Sequence, residues 1–159
     1  MAVTVKKITL WRSEVENRPA TLASALEPLA GAGADLQVVM GYRYPGDESK
    51  AAIELYPVSG RKSAAAAQAA GLSASTIPTL LVEGDNKPGL GYAIAKAIGD
   101  AGINMGFVVA QVIGRKYSAI LGFATEEDAR KASALLRKTT APRGAAKKGA
   151  AKKTSARKA

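Results

Sequence analysis

Residues 83–105, EGDNKPGLGYAIAKAIGDAGINM, decide the fold. They read as the end of a strand, a polar turn (Asp85-Asn86-Lys87-Pro88-Gly89), a helix over 88–101, and a Gly102-Ile103-Asn104 lead-in to another strand. Pro88 has a φ preset for a first helical turn, where its missing N–H removes no bond. Gly89 and Gly91 let the backbone come close to something with no side chain in the way. Leu90, Ile94, Ile98 and Ala101 recur at helical spacing and mark one apolar face, with Lys96 and Asp100 paired on the other. A helix N-terminus behind a short polar turn presents free backbone amides, which suit a small anionic group such as a carboxylate.

Displaced by 69 positions, the chain aligns with itself. Glu16-Asn17-Arg18-Pro19 falls on Asp85-Asn86-Lys87-Pro88, and the match runs without a gap to Gly33-Ala34-Asp35-Leu36 against Gly102-Ile103-Asn104-Met105. Farther on, a shorter turn in the second copy sets Ile53 and Tyr56 against Ile120 and Phe123. The period is longer than the roughly 20–50 residues of solenoid units, which suggests two copies of one small domain.

Composition narrows the chemistry. The 159 residues include no cysteine and no histidine, which removes disulfides, thiolate zinc sites, Cys nucleophiles and the commonest general base. No metal site or cofactor is expected, and the acids at 47–48 and 126–128 fall where turn and cap residues belong, so the chain does not read as an enzyme. The opening MAVTVKKITLW alternates and carries two lysines, unlike a secretory leader, and no apolar run approaches a membrane span. A soluble cytoplasmic protein is expected. The net charge of +10 is uneven: eight of the 23 cations and no acid lie from Lys138 onward, so the remainder is nearly neutral.

In chain order, 5–12 has strand composition and 16–19 is a turn. A helix over 20–32 should bury Leu22, Leu26 and Leu29, with Pro28 kinking or shortening it. Strands over 36–44 and 50–56 form a hairpin about Pro45-Gly46-Asp47. A helix over 60–70 follows, and 73–83 is extended and divided by Pro78. The second copy repeats the order with a helix over 88–101, strands over 105–113 and 116–123, and a helix from the cap Thr125 to about Arg137. Each copy therefore reads strand, helix, strand, strand, helix, an α+β pattern with antiparallel sheets and helices on one face. A last strand is visible only in the first copy. The edge this leaves in the second is one a partner would cover, and a homodimer is expected. The domains are drawn at 1–77, 78–138 and a tail at 139–159. Trp11 is expected to pack at the domain interface.

A βαββα repeat with a D-N-K-P-G-L turn, an apolar helix and a G-I-N strand start resembles the ACT domain, a small regulatory module that binds amino acids. The tandem looks like a stand-alone protein of two ferredoxin-like βαββα(β) ACT repeats, and the resemblance covers about Val5 to Arg137. It implies a free amino acid bound at an interface between repeats or subunits, in a sensor or regulatory subunit. Carried over by position, Asp85 and Asn86 hold the ammonium group, the amides of Gly89 and Leu90 behind Pro88 hold the carboxylate, and Asn104 adds a contact. In the first copy the equivalents are Glu16, Asn17 and Asp35, with Ala20 standing where the pattern wants glycine and restricting backbone approach. The plain alternative for both turns is a helix start that caps its own backbone.

Two nucleic-acid readings arise. RNA-recognition folds share this element order, but Tyr42, Tyr44, Phe107 and Tyr117 do not form their aromatic signature. The Lys/Ala-rich tail cannot build a core and is expected to be disordered. Its Lys147, Lys148, Lys152, Lys153, Arg157 and Lys158 would bind DNA or RNA phosphates without sequence preference. A solubilising extension is the alternative.

Overall fold

The computed structural model describes residues 3–140; the tail cations named above lie outside them. The chain is α+β, two ferredoxin-like repeats with two four-stranded antiparallel sheets and four helices. Its elements are β1 (Val3–Ile8), β2 (Trp11–Glu16), α1 (Thr21–Gly31), β3 (Val38–Tyr44), β4 (Asp47–Tyr56), α2 (Gly60–Ala69), β5 (Ser73–Ala74), β6 (Thr79–Asp85), α3 (Leu90–Asp100), β7 (Met105–Ile113), β8 (Lys116–Phe123) and α4 (Glu126–Thr139). One sheet has the order β3-β4-β2-β5 and the other β1-β6-β8-β7.

The second order corrects the sequence reading. The expected strand over 5–12 is two strands: β2 pairs with β4 in the first sheet, whereas β1 crosses to pair with β6 in the second. The apolar residues explain the break. Val5 belongs to the core beneath α3 and α4, Ile8 and Leu10 to a cluster between the sheets, and Trp11 packs on the core beneath α1 and α2. One straight strand cannot reach three cores. The second copy thus has its last strand, supplied from the start of the chain, and the vacant edge from which a homodimer was argued is filled. Trp11, for the same reason, packs within the first copy and not between copies.

Helices cover one face of each sheet. Leu90, Ile94 and Ile98 of α3 and Ala129, Ala132 and Leu136 of α4 bury against Leu80, Val82, Ala119 and Leu121. Ala25 and Leu29 of α1 and Ala67 of α2 do the same against Ile53 and Leu55. The opposite faces meet through Leu10, Met40, Leu81 and Ile120, with Phe107 packed alongside. Leu22, expected inside, is 41% exposed, and Ala101 is exposed just past the end of α3. Pro28 does not shorten its helix: α1 and α3 are both 11 residues long. At the chain's far end the Thr125 hydroxyl accepts a bond from the Asp128 amide, capping α4. That helix runs two residues past Arg137, and Thr140 is buried with its hydroxyl on the Leu136 carbonyl.

Strand register also corrects the internal alignment. Arg12 faces Glu54 across β2 and β4, and the equivalent Leu81 faces Ile120 across β6 and β8. The structural partner of Ile120 is therefore Glu54 and not Ile53. A slip of one residue exchanges the faces of a strand. Ile53 indeed lies on the helix side and Ile120 on the side between the sheets.

Candidate functional site

Both helix-start turns are built alike. The strand ends at Glu16 or Asp85, the next residue's amide bonds to the hairpin opposite (Asn17 N to Ser49 O and Asn86 N to Arg115 O, both 2.8 Å), and a left-handed residue then starts the helix. That residue is Gly89 in α3, with φ 83°, and Ala20 in α1, with φ 68°. Both helices therefore begin after the left-handed residue, and Pro19 and Pro88 stand in the turn ahead of it instead of in the first helical turn. Ala20 does not alter the turn; it adopts the glycine conformation at a cost of about 1–2 kcal/mol for an L-residue.

The amides at the start of α3 are not all available. Leu90 N bonds to the Lys87 carbonyl at 3.1 Å, and the first α-type bond runs from Ala93 N to Gly89 O at 2.9 Å. Gly91 and Tyr92 N–H lie between these two and are the donors that helix geometry leaves unpaired at such an end. A carboxylate would meet them before it met Leu90. Gly91, at the start of α3, sits above the buried Tyr117, and a Cβ built on it would lie 3.8 Å from the Tyr117 hydroxyl.

The side chains divide. The Asp85 carboxylate takes a 2.6 Å ion pair from Lys116 Nζ, whose hydrogen bond and charge hold it below the usual carboxylate range. It also lines a cleft of about 470 Å³ with Thr4, Gln37, Glu83, Gln111 and Ser118. In the first copy, Asn17 Nδ2 donates to the Glu48 carbonyl at 2.8 Å, and Glu16 pairs with Arg18 at 3.3 Å. Glu16, Asn17 and Arg18 line a cavity of about 220 Å³ with Thr21, Leu22 and Gly41, beside the start of α1.

Asp35 and Asn104 are not brought to these turns. Each follows the helix and precedes β3 or β7, and so lies at the other end of the sheet. An 11-residue helix separates the two ends by about 16 Å at 1.5 Å per residue. Within one copy, Asn104 and Gly89 cannot touch one small ligand.

A polar cluster escaped the sequence reading. Glu54 is fully buried on the face of the first sheet turned away from the helices. Tyr42 donates to it at 3.2 Å, and Arg12 Nε lies 3.6 Å from its second oxygen, with neither of those two atoms hydrogen-bonded. Arg12 also donates to Glu14 and to the Tyr44 hydroxyl, which in turn donates to Glu14 at 2.6 Å. Burial pushes the Glu54 carboxyl up. Burial works against the Arg12 charge as well, yet its bonds with Tyr44, Tyr42 and Glu14 hold the guanidinium charged, and those with Tyr44 and Arg12 hold Glu14 low. Leu81 and Ile120 stand at the positions of Arg12 and Glu54 in the second copy, so the two faces differ in kind. The available signal was a single acid inside the apolar run AAIELY, residues 51–56.

No family model matches the sequence. No curated protein matches it either. Solved structures do. Protein BT0572 from Bacteroides thetaiotaomicron has a TM-score of 0.67 at 10% identity, with 84% of this chain and 98% of that one covered. The regulatory subunit of aspartate kinase from Thermus thermophilus has 0.57 at 14% identity, with 86% and 95% covered. The regulatory subunit of aspartate kinase from Thermus flavus has 0.56 at 15% identity, with 87% and 97% covered. The likeness is one of fold. It spans both repeats and nearly the whole length of these three chains. Among the described residues, no helix is long and apolar enough to cross a membrane, and no group of acids could hold a metal ion.

Proposed function

We propose that this chain is a regulatory protein that senses a free amino acid through helix-start turns in two ACT-like repeats, divided near Pro78. The observation that carries the reading is the left-handed residue at both helix starts. An alanine held at φ 68° is strained, and local strain that a simple turn could avoid is characteristic of ligand-holding backbone. Fold likeness to aspartate kinase regulatory subunits supports the regulatory half of the reading. The ligand's carboxylate would sit at the start of α3, with Asp85 and Asn86 on its ammonium side, and Glu16 and Asn17 would serve the weaker first-copy site. A thermal-shift screen against the amino acids tests this. A ligand at 100 times its dissociation constant adds about 2.7 kcal/mol. A Cβ at Gly89 would meet nothing within 4 Å in the protein, but its φ of 83° strains any other residue, so Gly89→Val, once shown folded by circular dichroism, obstructs whatever approaches the turn. Loss of the shift in that variant supports the site, whereas no shift with any amino acid at millimolar concentration removes the reading.

A second reading concerns the tail, because eight of the 23 cations lie from Lys138 onward. If these bind nucleic acid, log K should fall with log salt by about 0.9 for each phosphate neutralised. A chain ending at Thr140 should lose that binding, and equal binding by both chains would exclude the tail.

A further inference from the structure

Tyr117 lies beneath the start of α3, in the core under α3 and α4, and is only 7% exposed. Its cross-strand neighbour is Gly84 and the residue above its hydroxyl is Gly91, so two glycines flank the side chain. The first copy fills the same three positions differently. By the strand registers, Ala51 stands for Tyr117 and Val15 for Gly84. Counted from the left-handed residue at each helix start, Leu22 stands for Gly91. One copy sets a large ring between two glycines, the other an alanine between two aliphatic side chains. Exchanges of this kind conserve volume, which is what a core requires. Volume does not require the hydroxyl, because phenylalanine would fill the same space.

That hydroxyl has no work in the described fold. It makes no hydrogen bond there: burial alone acts on the phenol, pushing it up, with no charge or hydrogen bond contributing. Nor is the oxygen sealed. Among the described residues the buried side-chain atoms left unpaired are Arg12 Nε and Glu54 Oε1, so the Tyr117 oxygen reaches the surface. The hydroxyl of a buried tyrosine normally finds a partner. This one stands beside Gly91 on one side, and Tyr117 shares the cleft of about 470 Å³ with Asp85 on the other. The Gly91 and Tyr92 amides, unpaired at the helix end, are its neighbours.

We propose that the Tyr117 hydroxyl is a ligand donor of the second-copy turn, binding a carboxylate together with the Gly91 and Tyr92 amides. The proposal rests on the amino-acid reading and adds to it the group that makes the two turns unequal. Gly91 leaves the hydroxyl reachable, and Asp85 stands on the same cleft for the ammonium group. In the first copy Leu22 and Ala51 line the cavity beside α1, with no hydroxyl at the position of Tyr117. The left-handed start is common to both turns, but the third donor is not. One amino acid is therefore held tightly per chain, at α3.

Isothermal titration of the full chain with each of the twenty protein amino acids in turn tests this. One tight site per chain is expected. Tyr117→Phe keeps the ring and should weaken that site about 10–100-fold, the range for a hydrogen bond to a charged group. Gly91→Ala sets a methyl in ordinary contact with the hydroxyl, 3.8 Å away, and should weaken the site as well. Circular dichroism should show both variants folded. In the native chain the Cζ resonance of Tyr117, one of five tyrosines, should move as the bound amino acid is added, which a tyrosine serving only the core would not show. Native affinity in either variant, or an unmoved Tyr117 Cζ, overturns the proposal and leaves the amino-acid reading standing. A native chain that binds none of the twenty removes both.

Discussion

Exchanging the residues at the two helix starts should move stability in opposite directions. Ala20 is the only non-glycine residue at positive φ among those described, and it occupies the position that Gly89 holds in the second copy. Left-handed backbone costs an L-residue about 1–2 kcal/mol, which Ala20→Gly relieves. The added freedom of glycine in the unfolded chain returns about 0.4–1 kcal/mol of that gain. A net stabilisation of about 0.5–1 kcal/mol remains, or roughly 1–4 °C for a chain of this size. Gly89→Ala should lose a similar amount, and no steric term enters because a Cβ there meets nothing within 4 Å. Urea unfolding followed by circular dichroism measures both variants, with m unchanged if only the native turn is affected. A destabilised Ala20→Gly variant would mean that the first turn is not strained, and the argument from strain to ligand binding would fail with it.

Other substitutions test the fold and the buried cluster. Gly122→Ala would put a Cβ 2.1 Å from the Phe107 ring between the sheets, and it should cost about 1–3 kcal/mol. The combination with Phe107→Leu should recover part of this loss in a double-mutant cycle. Thr125→Ala removes the α4 cap and should cost about 1 kcal/mol in the same unfolding assay. Because burial raises the Glu54 carboxyl, its ionisation weakens the fold as pH rises above the usual value near 4.5. Glu54→Gln lacks that effect, so its melting temperature relative to the native chain should increase between pH 4.5 and 7; a constant difference would show that Glu54 does not titrate in the fold.

Element types were largely legible because apolar spacing and turn residues agree locally: Leu90, Ile94 and Ile98 mark α3, and Pro78 divides β5 from β6 as expected. What escaped depended on partners distant in sequence. Nothing in VKKITLWR shows that its first half will join a sheet built from residues beyond Pro78. The shorter second hairpin hid the true equivalence of Glu54 and Ile120 by one residue, enough to reverse the faces and conceal the Arg12–Glu54 pair. Of the candidate site, the turns and their likeness were readable from Asn-x-Pro followed by Gly or Ala. The separation of Asn104 from Gly89 was not, because it follows from the direction of α3 along the sheet. The strain at Ala20 was likewise hidden, since alanine in place of glycine was expected to restrict backbone approach, and nothing local showed that it would be held at a left-handed φ.

The central claim, that the helix-start turns hold an amino acid, is tested most directly by following backbone amide resonances of the native chain during titration with each amino acid that shifts its melting temperature. The account predicts the largest changes at Gly89, Gly91 and Tyr92, smaller ones near Ala20 and Leu22, and their loss in Gly89→Val. Saturable changes confined to other parts of the fold, with these amides unmoved, would contradict it.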